Sequence, residues 1–405
     1  MTEVVTIGLG YIGLPTATLI ASNEIKVLGV DIKPEVVEII NKGQIHIVEP
    51  ELDIAVKNVV SNGYLKASTK PVKANVYLIV VPTPFKDNHE PDISYIESAT
   101  KSIIKHLKEG DLYIIESTSP VGTTKKMESL IYAERPDLKD KIYIAYCPER
   151  VLPGNVMYEL VHNDRVIGGV NDESTIKAIE FYRKFVKGEL HGTEAQTAEM
   201  CKLTENASRD VQIAFANELS LICAKANINV WELIKLANKH PRVNILQPGC
   251  GVGGHCIAVD PYFIISQFPA ESKIISQARE INNYKSLWVT EKITNTIQNF
   301  ENTENRKPKI AIMGLAFKPN IDDLRESPAV SIASRLKTLL VSYNIYFVEP
   351  NISTHNIFNI TDYRKAIESA DIISFLVAHK EFKNINTSGK ITLDFCGILN
   401  HQHIN

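Results

Sequence analysis

The amino-acid sequence predicts an α/β protein with two doubly wound parallel-sheet domains joined by a long central helical segment. Strand and helix patterns alternate through the first part of the chain, which is typical of parallel sheets whose strands are connected by helices. Helical periodicity replaces the strands from about residue 193 to 300, and a strand pattern restarts at residue 309. We therefore expect sheet domains over 1–192 and 308–405 and the helical segment over 193–300.

The composition is that of an ordinary globular protein. The 405 residues are 44% hydrophobic and 22% charged, and this length suits two or three domains. Lys and Arg number 44, Asp and Glu 47, and the net charge of −3 argues against nucleic acid or a membrane surface as partner. No apolar run approaches the roughly 20 residues that cross a membrane. Because no basic region precedes the first apolar segment, we expect a cytoplasmic chain without a targeting segment.

Short apolar runs rich in β-branched residues predict the strands of the first domain. These strands are expected at 4–7, 26–31, 75–84, 111–118 and 141–149. Helices are expected over 14–22, directly after a glycine-rich turn, and over 94–110, where apolar residues recur at helical spacing. The alternation of the two patterns favours parallel strands with helical crossovers.

The turn between the first strand and the first helix reads GLGYIG, with glycines at 8, 10 and 13. In such a turn the first glycine permits a tight bend, the second lets the backbone approach a pyrophosphate, and the third lets the helix pack closely. Asp31 follows at the end of the next strand, at about the 20-residue offset of a carboxylate that accepts ribose hydroxyls. This combination predicts a Rossmann-like site that prefers NAD to NADP, although Lys33 would tolerate a phosphate. A glycine turn that serves packing alone is the alternative.

Polar residues recur at helical spacing in the central segment. Lys202, Asn206 and Arg209 share one helix face, and an apolar set lies on nearly the opposite face: Val211, Phe215, Leu219 and Ile222. A solvated surface is the ordinary explanation of such a polar stripe. A buried lysine and asparagine would instead stabilise negative charge that develops on an oxygen atom.

Residues 249–263, GCGVGGHCIAVDPYF, contain four glycines in six residues, followed by Cys256 and Asp260. Such glycine density lets a backbone wrap closely around a ligand, and a cysteine just beyond it is well placed as a nucleophile. A buried structural cysteine is one alternative. A metal site with Cys250, His255 and Cys256 is another, but the adjacent side chains of His255 and Cys256 do not easily converge on one ion. The six cysteines of the chain include no CxxC pair, so no disulfide framework or zinc ribbon is expected.

The C-terminal part repeats the α/β pattern on a smaller scale. A polar stretch over 299–309 is expected to be a linker. The predicted elements after it are a strand at 309–317, a helix near 327–340, a strand at 345–350 and an apolar run at 370–378. Gly314 follows the first of these strands without further glycines, so this domain lacks the full dinucleotide fingerprint.

Ordered blocks along nearly the whole chain resemble the UDP-glucose/GDP-mannose dehydrogenase family. The blocks are GLGYIG, VPTP (81–84), ESTSPVGTT (116–124), CPERVLPG (147–154), KLTEN (202–206), GVGGHCIAVDPYF (251–263) and GLAFKPNIDDLRESPA (314–329). The resemblance implies an NAD-dependent enzyme that oxidises the 6-hydroxyl of a nucleotide sugar to a carboxylate in two steps. The CPERVLPG and HCIAVDPYF variants resemble the branch that acts on UDP-N-acetyl-D-mannosamine, with enzymes for UDP-N-acetylglucosamine or UDP-glucose as alternatives.

The same resemblance implies roles for individual residues. Cys256 is the nucleophile, Lys202 and Asn206 stabilise an oxyanion, and Asp260, Glu149 and Thr118 lie near the reacting carbon or assist proton movement. The NAD contacts implied are Gly8, Gly10, Tyr11, Ile12, Gly13, Asp31, Thr83, Thr118 and Arg325. The nucleotide-sugar contacts implied are Arg150, Val151, Lys202, Asn206, Arg209, Arg242, Gly249, Gly253, Phe317 and Lys318. No metal is implied, the long central helix builds a homodimer or a higher homo-oligomer, and Arg242 can come from the partner subunit.

One position departs from the family pattern. UDP-glucose dehydrogenases carry a second glutamate four residues after the position of Glu149, and Pro153 stands there in this chain. The general base is then Glu149, Asp260 or a water molecule. Two other classes remain as alternatives: a one-step dehydrogenase of the 3-hydroxyacid type and a non-catalytic protein that responds to NAD.

Overall fold

The computed structural model describes residues 2–86, 89–152, 154–254 and 256–399. The chain divides into two compact units, Met1–Glu205 and Asn206–Asn405. The division falls inside a single long helix, Ala195–Ala226, rather than in a flexible linker. Among the described residues no helix combines the length and apolar character that a membrane span requires.

The first unit alternates strands and helices as the sequence predicts. In chain order the elements are β1 (Val4–Ile7), α1 (Gly13–Ser22), β2 (Val27–Val30), α2 (Pro34–Asn41), α3 (Leu52–Ser61), β3 (Leu65–Ser68), β4 (Val76–Ile79), α4 (Ser94–Ile104), β5 (Leu112–Ile115), α5 (Thr123–Glu134), a short 3₁₀ helix (Pro136–Leu138), β6 (Tyr143–Tyr146), α6 (Val156–His162), β7 (Arg165–Gly169), α7 (Asp172–Tyr182), β8 (Leu190–Glu194) and α8 (Ala195–Ala226).

One eight-stranded sheet forms the centre of this unit, in the order β3-β2-β1-β4-β5-β6-β7-β8. All neighbours are parallel except β6 and β7, which are antiparallel. The strand order reverses direction between β1 and β4, and ligands of open α/β sheets bind at the carboxyl ends of the strands beside such a reversal. The fold therefore favours a ligand site at the turns after β1 and β4.

Both faces of this sheet are buried, which is the defining property of a doubly wound fold. Neighbouring residues of β1 point to opposite faces, and Val4 and Val5 accordingly belong to two different apolar clusters. Val4 packs with Leu14 of α1, whereas Val5 packs on the side of Ile96 of α4. Helices on both sides thus remove both sheet faces from water, and the apolar runs of the sequence reflect this double burial.

The observed strands are shorter than the sequence patterns suggest. The run at 75–84 gives a strand only over Val76–Ile79, because the two prolines at 82 and 84 lack the backbone N–H that a ladder needs. The strand β3 has only two buried residues and one exposed lysine, Lys66, so its weak apolar alternation gave no signal in the sequence.

The second unit begins within α8. Its further elements are α9 (Val230–Ala237), α10 (Asp260–Gln267), α11 (Lys273–Glu304), β9 (Lys309–Met313), α12 (Pro328–Leu339), β10 (Asn344–Val348), α13 (Tyr363–Ser369), β11 (Ile372–Phe375), a short 3₁₀ helix (Lys380–Phe382) and β12 (Ile391–Asp394). Its four strands form a parallel sheet in the order β10-β9-β11-β12. The predicted fold class, two parallel-sheet domains joined by a long helical segment, is confirmed.

The linker expected over 299–309 is largely helical. The helix α11 continues to Glu304 and ends at Asn305, whose φ of 52° is left-handed, as is common at helix C-termini. Only residues 305–308 therefore connect the helix to β9. The polar composition that suggests a linker belongs instead to the exposed side of the helix.

Candidate active site

The GLGYIG turn between β1 and α1 has the conformation that a pyrophosphate site requires. Gly8 has a left-handed φ of 96°, and a Cβ atom on it would collide with the carbonyl oxygen of Val80. A Cβ atom on Gly13 would collide with the carbonyl of Gly8, whereas one on Gly10 would meet nothing within 4 Å. The outer glycines are therefore needed for packing, and the middle one leaves an open approach at the N-terminus of α1, where backbone N–H groups attract phosphate.

Asp31 lies beside this turn, as the sequence predicts. Its carboxylate accepts the backbone N–H of Leu9 at 3.1 Å and that of Lys33 at 3.0 Å. Each carboxylate oxygen has a second acceptor position, and the residue is only partly buried, so ribose hydroxyls can still reach it. Tyr11 is half-exposed and Ile12 is partly buried in the same turn. These residues fit a bound NAD.

The predicted contacts Thr83 and Thr118 lie together at the carboxyl ends of β4 and β5. The Thr83 hydroxyl donates to the Thr118 carbonyl oxygen at 2.6 Å. The loops are joined a second time, because the N–H of Val81 donates to the Ser117 hydroxyl at 2.9 Å. Both threonines are partly exposed, next to the point where the strand order reverses.

Glu149 follows β6 and has the most informative ionisation in the first unit. Burial raises the pKa of Glu149 to about 7, and the positive charge of Lys202 opposes this rise. One carboxylate oxygen also accepts the N–H of Val151. A carboxyl group that changes charge near neutral pH can accept a proton in one step and release it afterwards.

A buried cluster that sequence reasoning did not identify lies around Glu149. Tyr182 donates to the Glu116 carboxylate at 2.5 Å, and the guanidinium of Arg165 lies 5.0 Å from the centre of the Tyr182 ring. Arg165 lowers the pKa of Glu149 and Glu116 raises it. Arginine in a strand and glutamate at a strand end are common, so no sequence signal distinguished these two residues.

Arg150 and Val151 lie between Glu149 and α6. Arg150 forms an ion pair with Glu205 of α8 at 2.8 Å and also donates to the carbonyl oxygen of Asp164 at 3.2 Å. The N–H of Val151 is engaged by Glu149. Pro153, where the family pattern has a second glutamate, lies outside the described residues.

The helix α8 carries the predicted oxyanion pair. Lys202 and Asn206 are one helical turn apart, share one face and are both partly buried, whereas Arg209 is exposed. The polar stripe is thus not a fully solvated surface. The exposed side of α8 instead includes apolar residues, with Phe215 51% and Ile222 56% exposed.

Cys256 differs from every other cysteine of the chain. All six lie in the described residues, and Cys256 alone is exposed, while Cys147, Cys223 and Cys250 are buried and the other two are intermediate. Burial raises the pKa of Cys147 to about 11 and that of Cys250 to about 12, so those two thiols stay protonated. Cys256 is therefore the most accessible thiol of the six.

Asp260 begins α10 one turn after Cys256, and its N–H donates to the Cys256 carbonyl oxygen at 2.8 Å. The Asn206 side chain donates to the Asp260 carboxylate at 2.5 Å, which brings two predicted catalytic residues together. An asparagine amide has two hydrogens. One of them serves Asp260, and the other can serve a substrate oxygen.

The glycine-rich loop ahead of Cys256 packs against the turn after β9. A Cβ atom on Gly253 would collide with the Cβ atom of Phe317, and one on Gly254 would collide with the Phe317 ring. Gly249, in contrast, faces open space. Phe317 is therefore partly covered by the loop, and the first glycine of the loop is accessible to a ligand.

A buried hydrogen-bond chain, not identified from the sequence, holds the start of this loop. Asn217 accepts the N–H of Gly249 at 2.9 Å and donates to Asn282 at 2.8 Å. Asn282 donates to Asp210 at 2.8 Å, and Arg279 pairs with the same Asp210 oxygen at 2.7 Å. Asp210 and Asn217 continue the face of α8 that carries Asn206, so their helical spacing was a usable signal.

The remaining predicted binding residues are cationic and exposed. Lys318 follows Phe317, Arg242 lies in the loop after α9, and Arg325 precedes α12. Arg325 forms an ion pair with Asp323 at 2.5 Å. These side chains are accessible to a phosphate, and all three belong to the second unit.

The described residues include one group with the donor set of a metal site: Asp164, Glu189 and His191, all exposed. None of these residues belongs to the predicted site. His255, which the alternative metal interpretation requires, lies outside the described residues. Of its other two members, Cys256 is exposed, whereas Cys250 is buried and donates to the Leu376 carbonyl oxygen at 3.4 Å.

Comparisons with known proteins agree with this geometry. The chain matches three family models in order: the NAD binding domain of the UDP-glucose/GDP-mannose dehydrogenase family over residues 2–186, its central domain over 196–284 and its UDP binding domain over 311–401. The NAD cofactor expected from the GLGYIG turn is thereby confirmed.

Individual relatives match over nearly their full length. The UDP-N-acetyl-D-mannosamine dehydrogenase of Campylobacter jejuni is 55% identical, covering 97% of this chain and 99% of the relative. The NDP-N-acetyl-D-galactosaminuronic acid dehydrogenase of Ralstonia nicotianae is 49% identical, covering 98% and 96%. The solved structure of a UDP-D-ManNAc dehydrogenase from Pyrococcus horikoshii is 38% identical with a TM-score of 0.87, covering 100% of this chain and 97% of that one.

Proposed function

Because this chain belongs to the UDP-glucose/GDP-mannose dehydrogenase family, whose members are NAD-dependent nucleotide-sugar dehydrogenases, we propose that it oxidises UDP-N-acetyl-D-mannosamine to UDP-N-acetyl-D-mannosaminuronate. The identity of 55% to a UDP-N-acetyl-D-mannosamine dehydrogenase supports this substrate. The chemistry is a four-electron oxidation of the 6-hydroxyl to a carboxylate. UDP-N-acetylglucosamine and UDP-glucose are the alternative substrates for the same reaction.

The exposure of Cys256 is the observation that carries the mechanism. When bound, NAD accepts a hydride in each of the two oxidations. The thiolate of Cys256 adds to the aldehyde carbon after the first oxidation and holds it as a thiohemiacetal. The second oxidation leaves a thioester, which water cleaves to the carboxylate and the regenerated thiol. Each sugar gives up two hydrides to two NAD and consumes one water, and the reactive aldehyde is never released.

Lys202 and Asn206 stabilise the oxygen that becomes negative at each tetrahedral stage. Donors of this kind contribute about 3 to 4 kcal/mol each to a transition state. The bond from Asn206 to Asp260 at 2.5 Å supports this role, because it holds the amide in one orientation. Asp260 in turn assists the proton movement or the attacking water.

Glu149 accepts the proton of the 6-hydroxyl in this proposal. Its pKa of about 7, set mainly by burial, supports the role because the group is partly ionised at neutral pH. Thr118 and Thr83 contact the cofactor, as do Asp31, Tyr11 and the glycine turn. Arg325 reaches NAD, and Lys318 and Phe317 hold the nucleotide with Gly249 and Gly253 of the loop.

The test is the stoichiometry of NADH formation on a panel of nucleotide sugars. The purified protein is mixed with excess NAD and a limiting amount of UDP-N-acetylmannosamine, UDP-N-acetylglucosamine, UDP-N-acetylgalactosamine, UDP-glucose or GDP-mannose. We expect two NADH per UDP-N-acetylmannosamine and a lower kcat/KM for the others. One NADH per sugar would instead indicate a one-step dehydrogenase, and no NADH with any sugar would indicate a non-catalytic protein.

We further infer that the central helix α8 builds a homodimer. Exposed apolar residues on α8 and α9 support this inference, with Phe215 51%, Ile222 56% and Leu236 63% exposed, since patches of this kind mark interaction surfaces. A charged side chain at position 215 should disrupt such a contact, so the Phe215→Asp variant should sediment as a monomer. A wild-type protein that sediments as a monomer would contradict the dimer.

The dimer gives Arg242 a role across the interface. If this exposed arginine completes the site of the other subunit, Arg242→Ala and Cys256→Ser should each be inactive alone. Mixed after subunit exchange, they should recover activity, because one site of each mixed dimer then has both residues intact. Failure to recover would place Arg242 in its own subunit's site or outside any site.

We also infer a cytoplasmic location. The mechanism requires the thiol of Cys256 in its reduced form, and reducing compartments maintain that form. Fractionation of the native host, followed by the NADH assay, tests this location.

A further inference from the structure

The turn after β9 carries two of the residues to which the proposed function assigns nucleotide contacts, and the inference about this turn rests on that assignment. Phe317 and Lys318 lie within 314–320, between the left-handed Gly314 and the left-handed Asn320. Lys318 is exposed and Phe317 is partly buried. The backbone of this turn therefore determines where both side chains are presented.

Glu349 accepts hydrogen bonds from the beginning of the turn. It lies directly after β10, and one of its carboxylate oxygens accepts the N–H groups of Leu315 at 2.8 Å and Ala316 at 2.9 Å. Burial alone would raise the pKa of Glu349, but hydrogen bonds from His379 and from these two N–H groups outweigh it and lower the pKa to about 2. The group is therefore a carboxylate at neutral pH.

His379 holds the end of the same turn. Its Nδ1 atom accepts the backbone N–H of Asn320 at 3.0 Å, and its Nε2 atom lies 3.0 Å from the Glu349 carboxylate. Because Nδ1 accepts a hydrogen bond, it carries no hydrogen, and the ring proton resides on Nε2, where it is donated to Glu349. One imidazole thus connects Asn320 to the carboxylate that holds Leu315 and Ala316.

The pair is inaccessible to any ligand. The side chains of Glu349 and His379 are both 0% exposed. Asp31 occupies the corresponding place after β2 in the first unit and bonds the turn after β1, but Asp31 remains partly exposed and can touch a cofactor. The two sheets thus share an acidic residue at the same position. In the second unit that residue is buried and contacts only protein groups.

We propose that Glu349 and His379 are a positioning pair that fixes the turn 314–320 for binding the uridine diphosphate part of the substrate. Each end of the turn is anchored to one member of the pair, and the pair is itself joined by a hydrogen bond. The turn is rigid before the ligand arrives, so its ordering does not oppose binding. Neither residue takes part in hydride or proton transfer.

Two amide substitutions at position 379 separate the two functions of the imidazole. In His379→Asn the amide oxygen is attached at the same distance along the side chain as Nδ1, so it keeps the acceptor for Asn320 and loses the donor to Glu349. In His379→Gln the amide nitrogen corresponds to Nε2, so it keeps the donor and loses the acceptor. The Asn351 side-chain amide also donates to Nδ1 at 3.1 Å, so H379N breaks one buried hydrogen bond and H379Q breaks two, and H379Q should lose more stability.

Binding of UDP by calorimetry, with the KM values of the full enzyme, is the readout. Loss of one buried hydrogen bond changes an equilibrium by about 5- to 100-fold. We expect H379Q to weaken UDP binding and raise the KM for the nucleotide sugar by about tenfold. H379N should change both by less than about threefold, and the KM for NAD should stay constant in both variants.

Equal UDP affinity in H379N and H379Q, with the wild-type protein binding UDP normally, would overturn the positioning pair and leave the proposed function intact. A wild-type protein that neither binds UDP nor oxidises a nucleotide sugar would overturn both. If the variants do not fold, hydrogen exchange of the wild-type protein provides the test. The N–H groups of Leu315, Ala316 and Asn320, which donate to the pair, should already exchange slowly without UDP, and rapid exchange there in the free protein would also overturn the proposal.

Discussion

Replacing Glu149 by glutamine tests whether this carboxyl group takes the proton that the 6-hydroxyl loses. Burial raises the pKa of Glu149 to about 7, although Lys202 attracts its charged form. Glutamine keeps the size of the side chain and the acceptor for the N–H of Val151, but it cannot ionise. We expect kcat to fall about 10²- to 10⁴-fold, the usual contribution of a positioned base.

The pH profile gives the sharper comparison. Below the pKa of about 7, wild-type kcat/KM should fall about tenfold per pH unit, because only the carboxylate accepts a proton. The E149Q variant should show no such acidic limb. Glu128, another carboxyl group whose pKa is raised by burial, supplies the control, and E128Q should keep the limb unchanged.

The free energy of unfolding should respond to the same ionisation. The pKa of Glu149 is higher in the folded protein, about 7 against 4.5, so the folded state binds more protons between these pH values and stability falls as pH rises through them. The shift corresponds to about 3 kcal/mol, which partial exposure of the residue reduces to about 2 kcal/mol. Because other buried carboxyl groups, such as Asp111 and Glu128, titrate in both proteins, urea unfolding at about pH 5 and pH 8 should show a loss that is about 2 kcal/mol larger in the wild type than in E149Q. If the kcat/KM profile of E149Q keeps an acidic limb with the wild-type midpoint, Glu149 is not the base, and Asp260 or water takes its place.

Three further substitutions have defined outcomes. Cys256→Ser should retain NAD affinity, measured by fluorescence titration, but lose turnover. The control is Cys201→Ser, at a partly exposed cysteine on α8, which should remain active. Full activity of C256S would exclude Cys256 as the nucleophile. Asp31→Ala should weaken NAD more than NADP, and an unchanged ratio of the two dissociation constants would contradict the ribose contact. Asn217→Leu leaves the Gly249 N–H without its acceptor and should raise the KM for the nucleotide sugar about tenfold. The cavity variant Ile297→Ala, destabilised by about 2 to 5 kcal/mol, should leave that KM unchanged, and equal KM values in both would contradict the role of Asn217.

Features that depend on short stretches of chain could be predicted from the sequence. The GLGYIG turn requires glycine at 8 and 13 because a Cβ atom would strike the backbone within a few ångströms, and this need is visible as a motif. The buried strands β1 and β4 and the helix α8 likewise follow from apolar runs and helical spacing. The roles of Cys256, Lys202 and Glu149 stay predictions that rest on family resemblance.

Features that depend on residues far apart in the chain could not be predicted. Asn217 and Gly249 are 32 positions apart, and Glu116 and Tyr182 are 66 apart, so no local pattern pairs them. The expected linker at 299–309 was largely wrong for a related reason. Its polar residues face water on α11, and packing of the opposite side of that helix decides its length.

The sequence by itself determined the fold class, the NAD cofactor and the family of this protein, because each depends on local backbone geometry or on ordered motifs. Only the tertiary structure decided which polar groups are buried and with which partners. It placed Glu149 where burial shifts its pKa to about 7, left Cys256 accessible among six cysteines, and joined Glu349 to His379 beneath the turn that follows β9. The physical reason is that desolvation and hydrogen bonding depend on distance in space, and chain folding alone sets that distance.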